Sequence, residues 1–311
     1  MSHNPALIAD PIAPPLTAEL LRANEEALAP GLSRWRSLAH QLLRDPLSVL
    51  GLLLVLGAVA LALVGPLLAP YQPSLPDYTA MNAGPSAAHL FGTDIIGFDV
   101  LSRVLHGARL SVGVAAAVLA IAVPIGLLLG AMAGYMGGLV DEVIMRVTDA
   151  FLAFPVLILA MAVAATLGAG LGSCVVALSV SFWPWYARLL RGQILSVKGR
   201  EYVEAARAMG VSHLGILWRH ILPNCLTPIV VELSMDMGYA MLSISSLSFI
   251  GLGAQPPSPE WGAMIVAGRD YFRSSWWITA FPGMALTLTV MSFNLLGDAL
   301  PEALDPRRHG S

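Results

Sequence analysis

The sequence predicts an all-α membrane protein with six transmembrane helices, and three observations lead to that fold class. Of the 311 residues, 56% are hydrophobic and only 12% are charged, whereas a globular protein has about 45–50% apolar and about 25% charged residues. The mean hydropathy is +0.71. Uncharged stretches recur along the chain, and each has the roughly 20 residues that a helix needs to cross the ~30 Å core of a bilayer.

The six predicted spans follow these uncharged stretches in order. They lie at Leu47–Leu68, near Val112–Tyr135, twice within Ala150–Ala187, near Leu226–Leu247 and near Trp276–Leu296. The 38 residues from 150 to 187 would form a helix about 57 Å long at 1.5 Å per residue, which is too long for one crossing. Gly168, Gly170 and Gly172 lie in the middle of that run, and we expect them to divide it into two helices.

The basic residues predict the orientation of the chain. Segments on one side of the predicted spans hold 13 of the 17 Lys and Arg residues, and segments on the other side hold Arg103, Arg109, Arg269 and Arg273. Because short cytoplasmic loops carry an excess of Lys and Arg, we expect both termini in the cytoplasm. Residues 1–46 lack a secretory signal and are expected to form a cytoplasmic segment, disordered first and then an amphipathic helix, while 298–311 form a cytoplasmic tail.

The composition excludes other classes of protein and other partners. A net charge of −3 excludes a strongly basic nucleic-acid-binding protein. We therefore expect the chain to contact membrane lipid and not nucleic acid. The two cysteines, Cys174 and Cys225, lie far apart in apolar segments. We interpret them as buried small hydrophobic residues rather than as a disulfide or a metal site.

The longest inner loop, residues 188–224, is predicted to be ordered. Glu201–Met209 is rich in strong helix formers. The alanines of this helix, Ala205 and Ala206 among them, would leave a smooth surface that another protein can approach closely. The loop therefore predicts a docking helix on the cytoplasmic face, although an interfacial helix without a partner remains the alternative.

A glycine bend and a second helix are predicted to follow. Gly210 is suited to end the first helix, and Ser212 is suited to cap a second helix over His213–Leu222. Pro223 would end that second helix, because proline lacks the backbone N–H of a helix interior. The loop is thus expected to be helix, bend, helix.

Two carboxylates lie inside the fifth predicted span. Glu232 and Asp236 are four residues apart, so they share one side of the helix. A charge at the bilayer centre costs about 2.5–3.5 kcal/mol on insertion scales, so they should face a polar cavity or a partner helix, or be protonated. One hypothesis is that they line a translocation path and meet a cationic group such as a peptide's amino terminus. The alternative is hydrogen bonding to neighbouring helices or to loop backbone.

The inner loop also carries a motif. Glu204-Ala205-Ala206, three further residues, Gly210 and then Leu222-Pro223 resemble the EAA loop of ABC-importer permeases. In that family the loop forms the coupling helix, which docks in a groove on the ATPase subunit, and the resemblance implies this role for the six named residues. The usual isoleucine two positions before Leu-Pro is His220 here, in an Arg-His-Ile-Leu-Pro-Asn context that is similar to the peptide-transporter branch.

Further segments resemble dipeptide and oligopeptide permeases of the DppC/OppC type. They are Phe91-Gly92-Thr93-Asp94, Asp99-Val100-Leu101-Ser102-Arg103, Leu247–Gly253 with Pro256, Pro257, Glu260, Trp261 and Gly262, Asn294-Leu295-Leu296-Gly297-Asp298, and Asp305-Pro306-Arg307. An arginine is common in these relatives where this chain has Phe98. The resemblance runs from about residue 40 to residue 308.

The resemblance implies a type I ABC-importer permease fold with its transmembrane domain at 47–297. It also implies a subunit of the bacterial inner membrane that pairs with a homologous permease, two ATPase subunits and an extracytoplasmic substrate-binding protein. The complex would import di- or oligopeptides or similar small solutes by alternating access. Members of the family carry dipeptides, longer peptides, glutathione, nickel complexes and opines, and the motifs do not choose among these.

The sequence offers no enzymatic motif of its own. A P-loop requires Gly-Lys followed by Ser or Thr, and the sole lysine, Lys198, follows Val197 and precedes Gly199. ATP and Mg would therefore be bound by the ATPase subunits, and we expect no cofactor, metal or catalytic residue in this chain. Two rival hypotheses remain. One is a stand-alone secondary transporter or channel with Glu232 and Asp236 as an ion or proton relay, and the other is a membrane scaffold that recruits a partner.

Overall fold

The computed structural model describes residues 46–304 (302–304 by backbone alone), and this part of the chain is helical apart from its loops and one isolated bridge between Thr93 and Asp99. The helices, numbered here α1 to α9, are Pro46–Leu68, Val100–Met136, Gly138–Leu152, Val156–Leu167, Leu171–Val197, Glu201–Ala208, His213–Phe249, Trp261–Gly268 and Trp277–Leu304. A 3₁₀ turn, Arg269–Tyr271, follows α8. The all-α prediction is confirmed over these residues.

Four helices in the described range, α1, α2, α7 and α9, are long and apolar enough to cross a membrane. The pair α3 and α4 makes a fifth candidate if it counts as one bent crossing. The chain is thus a multi-pass membrane protein, as predicted, but the count of six spans is not confirmed. Helix α5 has 27 residues, ample length at 1.5 Å per residue, but Arg188 and Arg191 lower its apolar character.

The uncharged run 150–187 does not fold into two helices of equal, membrane-spanning length. The predicted break is present, since Gly168 and Gly170 both have positive φ and separate α4 from α5. The second division lies at residues 153–155, where Pro155 precedes α4 and the axes of α3 and α4 differ by 88°. Helix α4 has only 12 residues, about 18 Å, so it cannot span a bilayer alone.

Helices α2 and α5 pack through three glycines of α2, which are four residues apart. A Cβ on Gly126 would lie 2.5 Å from Cβ of Tyr186, and one on Gly130 would lie 2.5 Å from the carbonyl oxygen of Ala187. Gly134 continues the row against Ile194. Small residues at this spacing let two membrane helices approach closely, and the seam therefore holds the centre of the molecule together.

Arg103 ties the N-terminal turn of α2 to the loop between α7 and α8. Its Nη2 donates to the carbonyls of Pro257 at 3.3 Å and Ser258 at 3.2 Å, and its Nη1 lies 3.4 Å from Oδ2 of Asp94. The guanidinium also lies 4.6 Å from the ring centroid of Phe98, a cation–π distance. The ring of Phe98 thus stabilises the charged guanidinium of Arg103. An arginine at position 98 would instead place a like charge beside it.

Glu260 joins three helices at the same end of the molecule. Its side chain is 1% exposed and accepts hydrogen bonds from the backbone N–H groups of Gly262 at 2.8 Å and Ala263 at 2.9 Å, which caps α8. The hydroxyls of Ser111 in α2 and Ser248 in α7 donate to its two oxygens at 3.3 and 3.1 Å. A buried carboxylate needs such donors, so this motif residue has a structural role.

Two helices run past predicted boundaries. Helix α5 continues to Val197, so the ordered loop begins at Lys198 and not at residue 188. Helix α9 runs unbroken to Leu304, so no structural break separates a domain ending at 297 from a tail. The predicted N-terminal segment 1–46, except for Pro46 at the start of α1, and the motif Asp305-Pro306-Arg307 lie outside the described residues.

Pro223 does not end the second helix of the loop, so the prediction for this proline is wrong. The helix that begins at His213 continues to Phe249, and a π-helical turn, Leu217–Ile221, directly precedes Leu222 and Pro223. A proline inside a helix removes an N–H donor and clashes with the preceding turn. The wider π turn accommodates both effects, so α7 is continuous from the loop into the bundle.

Candidate functional site

Residues 198–216, called here the coupling hairpin after the role that the EAA resemblance implies, consist of α6, a bend and the first turn of α7. Glu204 and Ala205 are exposed, while Val203 and Ala206 are buried at 0% and 1% exposure. Ala206 therefore packs into the chain's own core and does not contribute to a docking surface, contrary to the sequence prediction. The face available to a partner contains Glu204 and Ala205.

The bend forms as predicted. Gly210 has φ +78°, a left-handed conformation that suits glycine at a helix C-terminus. The hydroxyl of Ser212 accepts a hydrogen bond from the N–H of Gly215 at 3.2 Å, so it caps α7 as expected. Leu222 is half-buried and packs against the core, whereas Pro223 is exposed. These two residues link the hairpin to the bundle.

The two carboxylates of α7 face α5, each toward an aromatic donor. The indole Nε1 of Trp185 donates to Oε1 of Glu232 at 2.7 Å, and the hydroxyl of Tyr186 donates to Oδ2 of Asp236 at 2.7 Å. Both carboxylates are half-buried and Trp185 is 48% exposed. The predicted shared face is confirmed, and the bonds are of the kind that the alternative hypothesis expected.

The coupling hairpin and the two carboxylates lie in separate parts of the molecule, and helix α7 joins them. Glu204, Ala205 and Gly210 lie in the hairpin, and Glu232 and Asp236 lie further along α7, beyond the π turn. Because α7 is continuous from His213 to Phe249, a displacement of the hairpin reaches the carboxylates through a single element. Such an arrangement can transmit motion, and it provides no nucleophile and base pair.

Two ion pairs and two aromatic donors were not found by reasoning from the sequence. Arg188 in α5 pairs with Asp149 in α3. Arg191 donates from Nη2 to Oδ2 of Asp141 at 2.7 Å, and its Nε contacts the other oxygen. The two aromatic donors are Trp185 and Tyr186. Charge counts alone led us to expect the arginines on the cytoplasmic side, and only the packing of α3 on α5 shows their partners.

Among the described residues, no group of three or more His, Cys, Asp or Glu side chains is placed to hold a metal ion. The cysteines Cys174 and Cys225 are both buried and unpaired, in agreement with their interpretation as small hydrophobic residues.

The multi-pass helical bundle, with an ordered hairpin and two half-buried carboxylates between α5 and α7, is that of an integral membrane protein. The chain belongs to the family of binding-protein-dependent transport system inner membrane components, whose model matches residues 126–310. A second model, the N-terminal transmembrane domain of oligopeptide transport permease C, matches residues 33–85. This confirms the resemblance to ABC-importer permeases of the dipeptide and oligopeptide type and places the chain in the inner membrane.

Individual relatives are similar over nearly their whole length. The chain is 44% identical to the probable D,D-dipeptide transport system permease protein DdpC of Escherichia coli K12, over 86% of this chain and 89% of the relative. It is 43% identical to the glutathione transport system permease protein GsiD of Pectobacterium atrosepticum, over 88% and 91%. Among solved structures, the inward-facing MetNI methionine ABC transporter matches with a TM-score of 0.49 at 19% identity, over 66% of this chain and 94% of that chain.

Proposed function

We propose that this chain is one of two homologous permease subunits of an ATP-driven importer for di- or oligopeptides or similar small solutes such as glutathione. The observation that carries the proposal is the coupling hairpin. It matches the EAA motif in sequence and is anchored on one face, and it exposes Glu204 and Ala205 on the other. The relatives named for D,D-dipeptide and glutathione transport support the class of substrate.

ATP would act on this chain through other subunits of the complex. Lys198, the sole lysine, is not in a P-loop, so nucleotide and Mg would be bound by two ATPase subunits docked against the hairpin. Closure of those subunits would push on α6, and the bend at Gly210 would pass the displacement into α7 through Leu222 and Pro223. A substrate-binding protein on the opposite side would deliver the cargo. The excess of basic residues in the segments around the hairpin supports a cytoplasmic location for it and for both termini.

We further propose that Glu232 and Asp236 line the translocation path. Their half-buried position beside the exposed Trp185 is unsuited to lipid, because charged groups in a bilayer face a cavity or a partner. A path between two permeases would supply the water that these groups require. A carboxylate there would attract the protonated amino terminus of a peptide.

The proton-relay alternative receives less support from the geometry. Glu232 is bonded to an indole N–H, which is a donor only and does not exchange its proton with neighbouring groups. A proton could therefore not pass from Glu232 through Trp185 to the rest of α5. A stand-alone transporter also gives no reason for an ordered, half-exposed hairpin with an EAA motif.

The test is purification of the tagged chain from its native membrane in mild detergent, with mass spectrometry of the proteins that remain bound. We expect a second permease and P-loop ATPases, and ATP-dependent peptide uptake after reconstitution with the binding protein. A chain that is recovered folded but reproducibly alone, and that transports without ATP, would contradict the proposal and favour a secondary transporter.

A further inference from the structure

The coupling hairpin is fastened to the end of α2 by two hydrogen bonds from opposite ends of the hairpin. Nζ of Lys198, just before α6, donates to the carbonyl oxygen of Gly134 at 2.9 Å. The hydroxyl of Tyr135 and Nδ1 of His213, the first residue of α7, share a hydrogen bond of 2.9 Å. Gly134 and Tyr135 are neighbours in the last turn of α2, so both bonds meet at one place.

The C-terminal turn of α2 is a favourable attachment point for a cation. Helix α2 ends at Met136, and the last four carbonyls of a helix have no partner within it. Their partial negative charge attracts a Lys side chain. Lys198 therefore satisfies an acceptor that the helix leaves open, which explains why this lysine bonds to backbone although the chain has carboxylates nearby.

At this joint the angle of the hairpin is fixed by the two hydrogen bonds and by an edge-to-face contact between the rings of Tyr135 and His213, whose centroids are 6.0 Å apart. A cavity of about 310 Å³, lined by Tyr135, Lys198, Glu204, Arg207 and His213 among others, lies between the hairpin and the end of α2. The apolar anchors Val203 and Ala206 hold α6 on its other side. With open space on one side, the two polar contacts keep the hairpin from rocking about its apolar anchors.

The attachment point also connects directly to two further helices. A Cβ on Gly134 would lie 3.0 Å from Cβ of Ile194 and 3.2 Å from Cα of Arg191, so α2 and α5 touch there. Arg191 in turn binds Asp141 in α3. Force applied at Gly134 is therefore delivered to α2, α5 and α3 together.

We propose that Lys198 and Tyr135 are positioning residues for coupling, which make the hairpin and the α2–α5–α3 block move as one body. This inference rests on the importer function proposed above. Without the two bonds the hairpin would still dock on an ATPase, but part of each displacement would be lost at the cavity. ATP hydrolysis would then continue with less transport per ATP.

Two side-chain replacements remove the bonds with little change of shape. Tyr135→Phe deletes only the hydroxyl, and Lys198→Met keeps the apolar stem and loses the ammonium group. Lys198→Arg retains a cationic donor and is the matched control. In the reconstituted complex with ATPases and binding protein, we expect uptake per ATP hydrolysed to fall by up to about fivefold for each bond removed, the limit set by one hydrogen bond of ~1 kcal/mol. Lys198→Arg should restore most of it.

A second measurement uses the purified full-length chain and does not depend on transport. Because Lys198 is the only lysine, an amine-reactive reagent reports on this one side chain, and peptide mass spectrometry separates it from the N-terminal amine. Tyr135→Phe should raise the labelling rate of Lys198 about fivefold, since the hairpin loosens. The proposal is overturned if that rate is unchanged, or if Tyr135→Phe with Lys198→Met assembles and keeps the wild-type ratio of uptake to ATP. Absence of ATP-driven uptake in the wild-type complex would instead overturn the importer function itself, whatever the labelling result.

Discussion

The indole Nε1 of Trp185 donates a 2.7 Å hydrogen bond to Oε1 of Glu232 across the seam between α5 and α7. Tyr186 makes the equivalent bond to Asp236, and Phe182 stacks on Tyr239 with ring centroids 5.6 Å apart. Two consecutive aromatic residues of α5 therefore hold the two carboxylates of α7 by hydrogen bonds.

Removing the charge of these carboxylates while keeping their hydrogen bonds should change substrate preference and not folding. In Glu232→Gln and Asp236→Asn the amide oxygen still accepts from Trp185 or Tyr186. We expect uptake of peptides with a free amino terminus to fall about tenfold, equivalent to ~1.4 kcal/mol, because the attraction to the ammonium group is lost.

N-acetylated peptides provide the control, since their amino terminus is uncharged. Their uptake should be similar in wild type and in both variants, measured by competition in the same vesicles. If the preference for free over acetylated peptides is unchanged by both substitutions, the two carboxylates do not meet the cargo.

The fold was predictable from sequence where it depends on local apolar content. Leu47–Leu68 lies within α1, and the break at Gly168 and Gly170 is a local backbone property. Pro155 marks a position where a helix can end, but the 88° angle between α3 and α4 was not predictable, because it depends on how the two helices pack. The passage of α7 through Pro223 depends on a π turn, a change of backbone register that residue composition does not specify.

In the candidate site, too, local helix geometry was predictable from the sequence and the contacts between helices were not. The four-residue spacing of Glu232 and Asp236 predicted their common side, since it depends on helix geometry alone. Their donors lie 47 and 50 residues earlier, and only the packing of α5 against α7 brings them into contact. The burial of Ala206 similarly depends on how α6 rests on the bundle, which the alanine-rich sequence of that helix leaves open.

The glycine seam predicts which small residues of α2 are essential. Gly126→Ala would place a Cβ 2.5 Å from Cβ of Tyr186 and 2.6 Å from the carbonyl oxygen of Trp183, so α2 and α5 must separate. Overpacking of this kind costs about 1–3 kcal/mol, and it would also displace the donor to Asp236. We expect a lower melting temperature in detergent, followed by size-exclusion chromatography with fluorescence detection.

Gly113→Ala in the same helix is the matched control. No atom lies within 4 Å of the Cβ position at Gly113, and alanine is favoured over glycine in a helix by about 0.5–1 kcal/mol. This variant should be as stable as the wild type or slightly more stable. Equal melting temperatures for Gly126→Ala and Gly113→Ala would show that α2 and α5 are not in close contact.

The bend at Gly210 should tolerate asparagine and not valine. Gly210 has φ +78° with no atom within 4 Å of its Cβ position, so a substitution there meets backbone strain and no steric clash with neighbours. The left-handed conformation costs a residue with a Cβ about 1–2 kcal/mol, most of all a β-branched one. Gly210→Val should therefore reduce coupled uptake, whereas Gly210→Asn, whose side chain tolerates this region, should retain most of it. Normal coupled uptake in Gly210→Val, measured with ATP hydrolysis in the same vesicles, would contradict the bend.

Adjacent alanines of α6 should differ in their reaction with a thiol reagent. Ala205 is exposed and Ala206 is 1% exposed, so Ala205→Cys should react with a maleimide at least about tenfold faster than Ala206→Cys in the purified full-length chain. The native Cys174 and Cys225 are both buried, which keeps the background low. Equal rates at the two positions would contradict the packing of α6 described above.

Docking of an ATPase on this face gives the same experiment a second stage. When the ATPase subunits are added, Ala205→Cys should lose most of its reactivity, because Glu204 and Ala205 form the surface that they would cover. Ala87→Cys, exposed in the loop between α1 and α2 at the opposite end of α2, should react at the same rate with and without ATPases. If binding of the ATPases leaves Ala205→Cys as reactive as before, they dock elsewhere, and the route from ATP to α7 through Gly210 must be replaced by another.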